Sequence, residues 1–311
     1  MSSRERIERL EFHISYACVN DCIFCSEKTQ LDKFNNVFVD LADIKKELLN
    51  LDNCDINHIT LTGGEPSLHP AISDILKFCK QKNYKTYITT NGGRFSDENF
   101  VKKILPMIDE ICFSIHGYND ASHDALTCKK GSFLKLSKAI ANVKNASNKI
   151  NVFANIVATK DSMVDILKVL SFVKEWEMFG HIIISNIAPE GRAKGNYKKL
   201  APRLEDWCNN IEIIKEAVEK TGANYSLFGL PLCVLGTCRN KSNDIGFSPR
   251  ITIEKWDDGE KVYYKKTISM RAKRKRVKPK ICEVCIENEN CEGIFEEYHK
   301  IYGHDELKSI K

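Results

Sequence analysis

Apolar residues alternate with polar ones at Leu10, Phe12 and Ile14, the period of a strand buried on one face, and this strand runs directly into a group of cysteines. A β/α rhythm follows. The spacing predicts a helix over 42–51, a strand over 58–62, a helix over 72–82 and a strand over 85–90 that stops at Asn91-Gly92-Gly93. Next come a helix over 97–107, a strand over 110–115, a helix over 133–145 with Leu136, Ile140 and Val143 on one face, a strand over 150–157, a helix over 164–176 and a strand over 182–187. Six strands separated by helices require a parallel sheet with right-handed crossovers, because tight hairpins cannot join parallel neighbours. The expected fold is an α/β partial (β/α)6 TIM-like barrel, whose site is built from the loops after the strand C-termini.

After a helix over 204–220 the rhythm changes. Alternating runs over 251–256 and 261–266 flank Asp258-Gly259, which reads as a β-hairpin, and a basic run, a second cysteine group and a short helix over 294–300 complete the chain. The expected division is therefore a barrel over 1–200 and a small α+β domain over 201–311.

The 311 residues, 42% of them hydrophobic, suffice for a large core. No run approaches the ~20 apolar residues of a membrane span, and residues 1–9 are polar instead of opening a signal segment, so the expected setting is the cytoplasm. In a reducing compartment thirteen cysteines point to metal or iron–sulfur ligation before disulfides. The net charge of +5 is local, because Arg271, Lys273, Arg274, Lys275, Arg276, Lys278 and Lys280 fall in one segment. Such a run is a solvated face or a surface for a polyanion; without stacking aromatics, an acidic peptide is expected before a nucleic acid.

Cys18, Cys22 and Cys25 place three thiolates within eight residues. A four-iron cube held by three protein ligands keeps one iron open, whereas structural zinc is closed by four, for which His13 would have to serve. With Phe24 before the last cysteine, this CxxxCxxC segment resembles the radical S-adenosylmethionine superfamily. The resemblance implies a [4Fe-4S] cluster that reductively cleaves S-adenosylmethionine to a 5′-deoxyadenosyl radical, which abstracts hydrogen from a substrate. It extends to Gly63-Gly64-Glu65-Pro66, which resembles the motif that binds the methionine amino group. Thr90, Asn91, Ser114 and Asn155 match positions that hold its carboxylate and ribose, and Ile187, within 186–193, matches the segment whose backbone touches adenine. His116, at a strand end, suits cofactor contact, substrate acid/base chemistry or a structural role. Arg192 has two readings, part of this segment or an exposed loop charge.

Cys282, Cys285 and Cys291, with Cys233 and Cys238 upstream, resemble the SPASM/twitch auxiliary domains of that superfamily, though no cysteine follows Cys291. One auxiliary [4Fe-4S] cluster is expected, on Cys233, Cys282, Cys285 and Cys291 with Cys238 as alternate; a zinc ribbon is the competing reading. Cys54, Cys79, Cys112, Cys128 and Cys208 are read as small hydrophobes. Three functions follow. The first is modification of a side chain in a ribosomal peptide, aided by a separate peptide-recognition partner; the second is dehydrogenation or rearrangement of a small molecule. Both need a reductant such as flavodoxin or ferredoxin. The third is a zinc-stabilised module without catalysis.

Overall fold

In a computed structural model, described over residues 7–51, 55–146 and 149–311, six parallel strands lie side by side in chain order. They are β1 (Arg9–Ser15), β2 (His58–Gly63), β3 (Lys85–Thr90), β4 (Glu110–Ser114), β5 (Asn151–Ala158) and β6 (His181–Asn186). Their period of two decides which face is dry. In β1, Leu10, Phe12 and Ile14 are fully buried, as are Ala154, Ile156 and Ala158 in β5. Each large aliphatic or aromatic residue so placed contributes roughly 1.5–3 kcal/mol. Helices cover that face with matching spacing; Ile72–Gln81 buries Ile72, Ile75, Leu76 and Cys79. The opposite face is polar and lines a cavity, the arrangement of a partial barrel.

Three further strands extend this sheet. β7 (Asn224–Phe228) pairs parallel with β6, and the expected hairpin, β8 (Arg250–Asp257) and β9 (Val262–Ser269), joins beyond β1, with β8 parallel to it. The nine-stranded sheet thus runs through the expected boundary at residue 200. A second, antiparallel pair joins β10 (Arg276–Val277) to β11 (Ile294–Phe295).

Several elements depart from the pattern for local reasons. The helix expected over 97–107 ends at Ile104 and continues as a 3-10 turn, Leu105–Met107, where Pro106 lacks the N–H an α-helix needs. The one expected over 164–176 is two, Lys160–Val164 and Ile166–Glu175; Thr159 and Ser162 cap each other reciprocally and start it early. Asn119 and Ser122 form a second capping box that begins an unexpected helix, Asp120–Thr127. The expected helix over 294–300 begins as β11 and becomes helical at Glu296–Tyr302. Among the described residues no helix is long and apolar enough to cross a membrane.

Candidate active site

The loop carrying the first cysteines is pinned by three backbone segments. At the end of β2, Gly64 N–H donates to Ser15 O at 2.7 Å and Glu65 N–H to Ala17 O at 2.8 Å. A Cβ on Gly63, whose φ is +113°, would stand 2.3 Å from Ser15 O, and one on Gly64 2.4 Å from Ala17 O. Only glycine permits that approach. From the helix Asp120–Thr127, the carbonyls of Leu126 and Thr127 accept from Ile23 and Asp21 N–H. The third segment begins the helix Gly191–Leu200. Arg192 N–H donates to Cys25 O at 2.9 Å, while its guanidinium donates to Asp21 O at 2.5 Å and pairs with Asp21 Oδ1 at 2.6 Å. Arg192 is therefore a clamp on the cysteine loop, which overturns its reading as an exposed loop charge.

Cys18, Cys22 and Cys25 line one cavity of about 420 Å³ together with Phe24, Gly63, Gly64, Thr90 and Asn91. Ser114, His116, Asn155 and Ile187 line it too, from the ends of later strands. Asn91 is set by its neighbours: its N–H donates to Glu65 Oε2 at 2.7 Å, its Oδ1 accepts from Gly93 N–H, and its Nδ2 lies 3.6 Å from Cys18 Sγ. Glu65 and Pro66 do not reach the cavity; they are buried behind it. Burial pushes the Glu65 carboxyl up, while bonds from Ser67, Thr90 and Asn91 oppose that rise.

Burial, aided by the charge of Glu65, raises the Cys18 thiol to about 11 and lifts Cys22 and Cys25 as well. Buried thiolates gathered this way need compensating positive charge, which iron supplies. Among the described residues no three His, Cys, Asp or Glu side chains are gathered tightly enough for a single ion. Instead the three thiols ring a cavity, an arrangement suited to a larger group. His13 faces two carboxylates. Its Nδ1 lies 3.1 Å from Glu27 Oε2 and its Nε2 3.5 Å from Glu11 Oε1. Burial alone would lower its pKa, yet these carboxylates hold it up at about 10.

His116 packs edge-on against Phe24, ring centroids 4.7 Å apart, and stacks on His123 at 5.8 Å. Burial, then the neighbouring His123, lowers it to about 3. Its Nδ1 accepts from Val157 N–H at 3.4 Å, so the proton of the neutral ring resides on Nε2. His116 thus offers the cavity a donor and is a poor proton acceptor.

The sequence pattern overlooked the wall beside these groups. Arg9, Glu11 and His13 occupy the polar face of β1 and line the cavity with Glu27, Arg250 and Arg274. Burial would raise the Glu11 carboxyl, but His13, Arg250 and Arg274 overcome it and hold it at about 2. The signal was available: Arg9, Glu11 and His13 alternate along the first strand and all three are ionisable.

Cys233, Cys282, Cys285 and Cys291 line one separate pocket under the segment 307–310. Backbone N–H groups point at its sulfurs, those of Leu232 and Gly293 at Cys291 Sγ (3.4 and 3.3 Å) and that of Ile310 at Cys285 Sγ (3.4 Å). Cys238 is buried outside this pocket, with Tyr225 Oη 3.5 Å from its sulfur. Cys79 is buried and Cys208 exposed. Cys112 is buried yet borders the first cavity, exposed Cys128 adjoins the cysteine loop, and Cys54 lies outside the described residues.

The basic run is not one surface. Arg276 is buried, paired with Asp244 and bonded to Gly293 O; Arg271 pairs with Glu292, and Lys278 bonds Asn288 O. Arg274 faces the cavity. Of the seven basic residues only Arg276 is withdrawn from the surface; Arg271, Lys273, Arg274, Lys275, Lys278 and Lys280 stay exposed.

The chain as a whole is similar to several known proteins. A probable GTP 3′,8-cyclase of Saccharolobus islandicus (strain L.S.2.15 / Lassen #1) is 24% identical over 219 residues, 69% of this chain and 68% of that one. The 7-carboxy-7-deazaguanine synthase of Methanocaldococcus jannaschii is 22% identical over 229 residues, 68% of this chain and 88% of that one. SuiB of Streptococcus suis bound to S-adenosylmethionine shares the fold with a TM-score of 0.65 at 17% identity, over 94% of this chain and 74% of that one. In the complex of SuiB with precursor peptide SuiA the match covers 80% of this chain and 58% of that one, with a TM-score of 0.61. The chain thus spans less than two thirds of that SuiB. The profile of the Radical SAM superfamily matches residues 12–173, and the chain belongs to this superfamily.

Proposed function

We propose that this enzyme cleaves S-adenosylmethionine reductively at a [4Fe-4S] cluster held by Cys18, Cys22 and Cys25, and abstracts hydrogen from a substrate in the same cavity. The observation that carries this reading is the single cavity shared by the three thiols, the Gly63-Gly64 backbone and the polar strand ends. When bound, the cluster and S-adenosylmethionine supply an electron to the sulfonium and a 5′-deoxyadenosyl radical. The chain's own part is positioning. Asn91 directs an N–H at Cys18 sulfur, and the bare Gly63-Gly64 backbone receives the methionine amino group. Thr90, Ser114 and Asn155 face its carboxylate and ribose, Ile187 presents backbone to adenine, and Phe24 closes the side next to His116, which donates from Nε2.

Cys233, Cys282, Cys285 and Cys291 of the second pocket would hold one auxiliary [4Fe-4S] cluster in a SPASM/twitch-like appendage, which would supply an acceptor for the electron left after hydrogen abstraction. Four thiolates close such a cluster, and the N–H groups directed at them stabilise its charge. Cys238, already engaged with Tyr225, is the weaker candidate.

Of the two substrate classes, a ribosomal peptide side chain and a small molecule, the geometry favours the second. The charged wall of β1 suits a compact polar substrate. Two of the curated relatives are named for GTP and 7-carboxy-7-deazaguanine, and a third as a putative glycyl-radical enzyme activating enzyme. A peptide remains the reading suggested by the SuiB–SuiA complex, and it calls for a separate peptide-recognition partner. In either case a flavodoxin or ferredoxin in the cytoplasm serves as reductant.

Anaerobic reconstitution with iron and sulfide, then dithionite and S-adenosylmethionine, tests this reading. About eight irons per chain and 5′-deoxyadenosine are expected, and replacing Cys18, Cys22 and Cys25 by Ala should leave about four irons and no product. Product formation by that triple variant would refute the assignment.

A further inference from the structure

β1 and β8 run parallel with Arg9 directly beside Arg250, so both side chains leave the sheet on one face. That face is the cavity, which both residues line. Six residues of strand, about 20 Å, separate Arg9 from Ser15 at the cysteine end. The arginines therefore stand at the far end from the thiols.

Their charge is poorly matched. Among the described residues Arg9 has no ion pair and no side-chain hydrogen bond. Arg250 meets Glu11 only at 3.4 Å and donates its Nε to Ser248 O, while Phe247 supports its guanidinium at 5.0 Å. Arg274, the third guanidinium on the cavity, has Glu190 at 4.0 Å. Two carboxylates, Glu11 and Glu27, face the same space, and both already meet His13. A half-buried wall with surplus guanidinium groups turned inward calls for an anion from outside the chain.

We propose that Arg9 and Arg250 form a subsite for an oxyanion of the substrate, a carboxylate or a phosphate. Two adjacent planar forks match either group with paired N–H bonds, which a lysine pair would not do. Arg274 closes over the anion from the segment between β9 and β10. The subsite rests on the reading that this cavity takes the substrate, and it fixes one end of that substrate at the inner wall while the reacting carbon lies toward the cysteine loop.

Calorimetric titration of the reconstituted holoenzyme with S-adenosylmethionine, under argon, tests the subsite with two probes: inorganic pyrophosphate for phosphate and glutarate for carboxylate. Saturable binding of one probe identifies the source of the oxyanion. Arg9→Gln and Arg250→Gln should each weaken it about tenfold or more, the loss of one charge-assisted pair. Arg250→Lys, which keeps the charge and loses the fork, should fall between, and Lys102→Gln on the surface should change nothing. Failure of the wild type to make 5′-deoxyadenosine would sink the radical reading while the titration still judges the subsite. No saturable binding of either probe, or unchanged affinity in both Gln variants, overturns the proposal.

Discussion

Gly191 approaches the cysteine loop as closely as Gly63 approaches Ser15, and Gly191→Ala tests whether the loop's position depends on that approach. Gly191 has φ +53°, and a Cβ there would lie 2.3 Å from Ser26 O and 2.4 Å from Cys25 O. Left-handed backbone costs a residue with a Cβ roughly 1–2 kcal/mol, and forcing apart two packed backbones costs typically about 1–3 kcal/mol. The expected loss is on the order of 2–5 kcal/mol, borne where Arg192 N–H meets Cys25 O. The variant should melt earlier under argon, and its first cluster should lose iron while the second pocket keeps its own. Gly195→Ala, in the same helix with nothing within 4 Å of its added Cβ, should be neutral or stabilising by about 0.5–1 kcal/mol. Wild-type melting and iron content in Gly191→Ala would refute the argument that this approach holds the loop.

Glu110 offers a pH test. Burial would raise its carboxyl, but His58 at 2.8 Å and Lys85 at 2.6 Å hold it at about 2, below the ordinary 4.5. Its stabilisation, on the order of 3 kcal/mol, is present above 4.5 and lost as pH falls toward 2; in cluster-free protein Glu110→Gln should abolish that slope in urea unfolding. Glu65→Gln puts an amide where a carboxylate accepts from Ser67, Thr90 and Asn91. It should cost about 1–3 kcal/mol and raise the KM for S-adenosylmethionine, measured by 5′-deoxyadenosine formation. Arg276→Met strands the buried Asp244 carboxylate, which should cost about 3–5 kcal/mol and deplete iron from the second pocket first.

What could be read in advance followed from periodicity and from chemistry that tolerates one residue type. The six strands were legible because Leu10, Phe12 and Ile14, and their counterparts, must be buried on one face. Gly63 and Gly64 were legible because backbone approaches them to within a clash of any Cβ. The helix Gly191–Leu200 was missed because Ala193, Tyr197 and Leu200 are its only buried residues, set among lysines. β7 was missed because five residues with Tyr225 and Leu227 buried are too short a pattern to stand out. Arg276 shows the reverse failure: inside a basic run it reads as surface, yet Asp244, distant in sequence, draws it into the interior. Local sequence cannot disclose a partner thirty-two residues away.

The same logic explains why the chain beyond residue 200 belongs to the radical site mechanically. A six-stranded open sheet would leave the hydrogen-bonding edges of β1 and β6 unpaired, and β1 carries the cysteine loop at its end. β7 covers one edge and β8 the other. The hairpin then grips the cysteine loop's approach: Lys255 N–H donates to Tyr16 Oη at 2.5 Å, and Lys33 Nζ to Asp257 O at 2.6 Å. β8 also brings Arg250 beside Arg9. From the hairpin the chain passes through Arg274 at the cavity to Arg276, whose bonds to Asp244 and Gly293 hold the loop behind Cys291. The far third of the sequence therefore completes the sheet, supplies the charged end of the cavity and anchors the second set of thiols through one continuous run of backbone.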